Sequence, residues 1–192
     1  MKKTVIYQLL SKIYQRFFAT KQPEPVYEEI LKTSPEDARL TVPPHIKEMV
    51  HALLNSKEEQ QPGYNYGLHL TLNHTDSKVN LQTARWLAAQ QQRNIYRVKL
   101  SGMVSQYIGE TEKNIDKIFY KAENNNLVLL FDEADALFGK RTTVKDAHDK
   151  YANLELSYLQ KSIRAFKGTV LINCETTACR DWQPIDFIKI AE

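Results

Sequence analysis

Apolar and polar residues change their rhythm near residue 67. Upstream, apolar side chains recur at three- and four-residue steps. Val5, Ile6, Leu9, Leu10, Ile13, Tyr14, Phe17 and Phe18 form one stripe of a helix, opposite Lys12, Gln15 and Arg16. The plainest reading packs this stripe on its own domain; docking on another chain and lying on a membrane surface are the alternatives. Pro23, Pro25 and Pro35 punctuate a polar connector. Pro43-Pro44 then opens a second helix with Ile46, Met49, Val50, Leu53 and Leu54 inward. Residues 56–66 are polar, contain Pro62 and Gly63, and read as a loop or domain boundary.

Downstream, short apolar runs at 68–72, 95–100, 127–131, 169–172 and 185–190 predict strands. Helical patterns at 80–92, 110–123 and 147–166 separate them. Strands alternating with helices of this length form crossover units, and so a mainly parallel sheet with helices on both faces. The chain therefore divides into an N-terminal helical extension, 1–60, and an α/β core of three αβα layers, 61–192.

Bulk composition narrows the function. A length of 192 residues suits one domain with an extension. The net charge of +3, with no dense Lys/Arg block, is too weak to argue for nucleic acid. No run approaches a membrane span, and the Met-Lys-Lys start lacks the apolar stretch of a signal peptide, so a cytoplasmic protein is expected. Cys174 and Cys179 lack metal-site spacing and read as ordinary thiols of a reducing compartment. His69 and His74 flank a loop, but no third metal ligand is evident beside them.

The sharpest chemistry lies in Leu127-Val128-Leu129-Leu130-Phe131-Asp132-Glu133. An apolar strand ends in two carboxylates, at the sheet end where open α/β folds bind ligands. Upstream stands Tyr107-Ile108-Gly109-Glu110-Thr111-Glu112-Lys113-Asn114, and downstream Ala134-Asp135-Ala136-Leu137-Phe138-Gly139-Lys140-Arg141. In order and spacing these resemble the AAA ATPases, bacterial members with YIGETEKN and DEADALFGKR motifs above all. The resemblance implies a P-loop NTPase-like sheet of five strands in the order 5-1-4-3-2. It makes Asp132 the magnesium-site carboxylate and Glu133 the carboxylate that polarises the attacking water. Tyr107, Ile108 and Gly109 would match the loop that lines a ring's pore and grips polypeptide.

One part of that machinery is missing. The family's phosphate loop, G-x-x-x-x-G-K-[ST], curls backbone N–H groups around phosphate and reaches it with Lys. Here the corresponding stretch is Asn73-His74-Thr75-Asp76-Ser77-Lys78-Val79-Asn80-Leu81, without a glycine. Asn80 falls on the motif Lys and Leu81 on the motif hydroxyl; Ser77 and Lys78 are present but displaced. A charge-assisted hydrogen bond contributes about 1.5–3 kcal/mol, and a left-handed backbone angle costs a non-glycine residue roughly 1–2 kcal/mol. Losses on the order of 4–5 kcal/mol turn a micromolar site into a roughly millimolar one. Glu175 stands where the family usually has Asn after the fourth strand, although Asn173 is nearby, and a lone Arg180 replaces its paired cross-subunit arginines. No residues remain for the family's helical lid. The expectation is a pseudo-ATPase with no cofactor that binds a protein partner, an active AAA subunit being the partner the resemblance suggests. The alternative is an active ATPase that holds ATP and Mg through an unorthodox loop with Lys78.

Overall fold

The computed structural model describes residues 27–56, 67–72, 74, 76–103, 110–135, 147–174 and 188–190. In chain order its elements are β1 (Glu28–Leu31), α1 (Pro44–Ser56), β2 (Leu68–Leu72), α2 (Ser77–Gln90), β3 (Ile95–Lys99), α3 (Leu100–Met103), α4 (Glu110–Asn124), β4 (Val128–Asp132), α5 (Ala147–Ala165), β5 (Thr169–Asn173) and β6 (Ile188–Ile190). A short 3-10 turn, Asp37–Arg39, follows β1.

The pleat of β4 explains the layering. All of its residues are buried, and successive side chains leave on opposite faces. Val128 and Leu130 join a cluster with Ile46 and Val50 of α1 and Ala84 and Leu87 of α2. Leu129 and Phe131 join a second cluster with Ile115 and Ile118 of α4 and Leu159 and Ile163 of α5. A sheet apolar on both faces needs cover on both, and helices supply it, giving the three layers.

The sheet runs β1-β3-β4-β5-β2-β6. The parallel strands stand in the order expected of them, with β2 between β5 and β6 and β4 between β3 and β5. Strand β1 corrects the sequence reading. It lies antiparallel to β3, Glu28 opposite Val98 and Leu31 opposite Ile95, so among the described residues the sheet has six strands and the stretch read as connector within a helical extension contributes one. Its glutamates and flanking prolines hid it, since an edge strand carries charge where a central one cannot. Glu28 anchors it by accepting from the Tyr96 hydroxyl and, at 3.1 Å, from Lys121 Nζ.

Two boundaries also move. Helix α2 begins at Ser77, earlier than its apolar pattern indicates, because Asp76 is an N-cap whose carboxylate accepts from Lys78 N. Strand β4 extends to Asp132. Cys174 is disulfide-bonded, which replaces the expected ordinary thiol; Cys179 lies outside the described residues. Proximity of two sulfurs in a fold is not readable from their spacing in sequence. Among the described residues, no helix is long and apolar enough to cross a membrane.

Candidate functional site

At the C-terminal ends of the parallel strands lies an open cleft of about 210 Å³, lined by Ser77, Lys78, Asn80, Leu81, Arg97, Leu130, Asp132, Glu133 and Asn173. The structure thus brings together Ser77, Lys78, Asn80, Asp132 and Glu133, all singled out from sequence. Tyr107, Ile108 and Gly109 lie outside the described residues, as do Glu175, Arg180 and the apolar stripe at 4–18.

Asp132 follows Val128 and Leu130 on the α2 side of β4 and is 6% exposed. Its carboxylate accepts four hydrogen bonds, two on each oxygen. Arg97 gives two to Oδ2, from Nε at 2.7 Å and from Nη2. Asn173 Nδ2 at 2.7 Å and Glu133 N at 2.9 Å serve Oδ1. Four acceptor positions are the full capacity of an ionised carboxylate. Burial alone raises the Asp132 pKa; the hydrogen bonds from Arg97 and Asn173, the Arg97 charge and the Glu133 N–H outweigh it and hold the carboxyl below its ordinary value.

The network extends both ways. Arg97 Nη1 donates to Glu29 Oε1 at 2.8 Å, across to β1. Asn173 Oδ1 accepts from Asn80 Nδ2 at 2.8 Å. The same Nδ2 donates to the His74 carbonyl at 3.0 Å, and Asn80 Oδ1 accepts from His74 N at 3.0 Å. Asn80 therefore closes the β2–α2 loop on itself with a neutral amide. Asp76 completes the closure, its N–H donating to His74 Nδ1 at 2.9 Å. Glu133 takes a different course. It has a φ of 55°, is exposed, and meets the Ser101 hydroxyl and, at 3.4 Å, Lys99 Nζ.

Both histidines have partners within the fold. His69 Nε2 lies 3.3 Å from the Phe166 carbonyl, and His74 belongs to the loop closure. Among the described residues, no group of three or more His, Cys, Asp or Glu could hold a metal ion.

Sequence reasoning missed Arg97 and gave Asn173 no role. A signal for Arg97 was present: a charged residue at the inward phase of Ile95-Tyr96-Arg97-Val98, on a strand beside an acid-tipped one, requires a partner.

Comparison with known proteins adds the family. A stretch of 43 residues is 51% identical to an uncharacterized AAA family ATPase, y4kL, of Sinorhizobium fredii (strain NBRC 101917 / NGR234), covering 22% of this chain and 13% of that protein. The family model described as ATPase family associated with various cellular activities (AAA) matches residues 82–184, starting just past the Asn73–Leu81 loop region. That match covers more than half of the chain and agrees with the parallel αβα sheet, its strand order and its acid-tipped β4: this chain belongs to the AAA family and has a P-loop NTPase fold.

Proposed function

We propose that this AAA domain is a pseudo-ATPase, a module that keeps the family's fold and works by binding protein rather than by turning over nucleotide. The observation that supports this reading is the Asn80 side chain. Counting along the sequence sets it at the position of the family's phosphate-binding lysine, and its amide is used on both backbone groups of His74 and on Asn173. Magnesium and a nucleoside triphosphate do not fit the residues present. The first turn of α2 is already capped by the Asp76 carboxylate, an anion at the helix end that would otherwise attract phosphate. No glycine stands in the loop to let the backbone curl around one. Positioning is most of the catalysis in phosphoryl transfer, so Asp132 and Glu133 without held phosphate have nothing to act on. The partner we propose is an active AAA subunit, since a domain of the same fold presents surfaces of the same shape.

Calorimetry with ATP and Mg²⁺ tests the reading on wild type, Glu133→Gln and Lys78→Ala. The expected result is no micromolar binding in any of the three and no hydrolysis above background. A second reading is favoured by one observation: Lys78 lines the same cleft as Asp132 and Glu133. Micromolar binding that falls in Lys78→Ala, with hydrolysis that stops in Glu133→Gln, would establish an unorthodox ATPase using ATP and Mg in its place.

A further inference from the structure

Asp132 and Glu133 line the acidic side of the cleft, Glu29 lies on neighbouring β1, and ion pairs join these carboxylates to Arg97 and Lys99. Arg97 stands between two of them. Register sets it opposite Glu29 on one side and Leu130 on the other, so its side chain passes along β4 to reach Asp132. With both oxygens of Asp132 filled, a divalent metal, or a water held by one, has no acceptor position left to take.

We propose that Arg97 is the resident cation of this acidic site, keeping divalent metal off Asp132 while tying edge strand β1 to the end of β4. The inference rests on the reading of the cleft as a vestigial nucleotide site. A guanidinium suits the task because its planar fork offers separate N–H edges, so one cation serves carboxylates on two strands at once. An ammonium is a compact point charge and cannot span them both. Loss of Arg97 would leave Glu29 and Asp132 without the cation they share and would vacate both acceptor positions on Asp132 Oδ2. Hard divalent cations take oxygen ligands of this kind.

The test titrates the 192-residue chain with Mn²⁺ alone, without nucleotide, and follows amide exchange at residues 28–31. Wild type is expected to show no saturable Mn²⁺ binding below millimolar concentration. Arg97→Gln should bind Mn²⁺ at least about tenfold more tightly, and Arg97→Gln/Asp132→Asn should lose that gain. Mn²⁺ binding by wild type as tight as by Arg97→Gln overturns the proposal, as does a folded Arg97→Gln that binds none. Arg97→Gln leaves Asp132 buried without its counter-ion, so Arg97→Lys provides a second, milder arm. It should still exclude Mn²⁺, but its amides at 28–31 should exchange faster than in wild type; exchange as slow as wild type also defeats the idea. Because nucleotide is absent, a negative result here leaves the pseudo-ATPase reading intact. ATP binding by the wild type would end that reading without altering the Mn²⁺ outcome.

Discussion

Asp132 carries most of its environment in its titration. Its folded-state pKa lies below the ordinary value of 3.8, so the unfolded chain takes up a proton at a higher pH than the folded one. The stabilisation from this group is then fully present above that ordinary value and is lost as pH falls through the depressed folded pKa. Asp132→Asn keeps the shape and removes the titration. The stability difference between wild type and this variant, from urea melts, should stay level from neutral pH to about 4 and shrink below it. A difference that instead changes between pH 5 and 7 would place the dominant titration elsewhere. Asn80 shows the complementary case of a neutral side chain. It is 3% exposed and polar, and both of its polar atoms have partners, in the loop it closes and on Asn173.

Among the elements, β2, β4 and β5 were legible because each is a largely apolar run of strand length buried on both faces, and the alternation of strands with helices fixes a crossover topology. Asp132 and Glu133 were legible for the same reason, as charges at the end of such a run. The parts that were not legible depend on contacts far apart in sequence. Strand β1 is stabilised by partners 68 residues away, Tyr96 for Glu28 and Arg97 for Glu29, and nothing local to Tyr27–Leu31 announces them. Arg97 escaped notice for the same cause, since its meaning lies in its two neighbouring strands. The start of α2 turned on one capping side chain, Asp76, where apolar periodicity is silent. Gly102 in α3 offers a test of how closely β1 is held. A Cβ added there would lie 2.6 Å from Tyr27 Cβ, while Tyr27 O accepts from Lys99 N at 2.8 Å. Gly102→Ala should push Tyr27 away and destabilise the fold by about 1–3 kcal/mol, read by urea melts together with faster amide exchange at 28–31. Unchanged stability would mean that α3 gives way instead.

For the molecule as a whole, the order of strands in space departs from their order in the chain. Strands β3 and β4 are joined by a single crossover and can pair early. Strand β2 precedes them, yet both of its neighbours come later, Leu68 meeting Thr169 and Leu70 meeting Ile188. Such non-local pairing slows folding to roughly the millisecond-to-second range. Trp86 on α2 is 2% exposed and shares a cluster with β2 residues Leu68, Leu70 and Leu72, so it reports that docking step. In a Trp182→Phe background, which leaves Trp86 as the sole indole, stopped-flow refolding should show its fluorescence change in the slow phase. A change complete within the earliest collapse would indicate that β2 docks before its strand partners.

The same arrangement has a consequence on the ribosome. Synthesis delivers β2, five residues that are buried in the finished fold, about a hundred residues before the strand that covers one of its edges. Throughout that interval the nascent chain carries an unpaired strand, a ready template for pairing with another polypeptide. A chaperone that shields this segment until β5 has emerged would serve the chain at the one stage where its topology leaves it most open to misassembly.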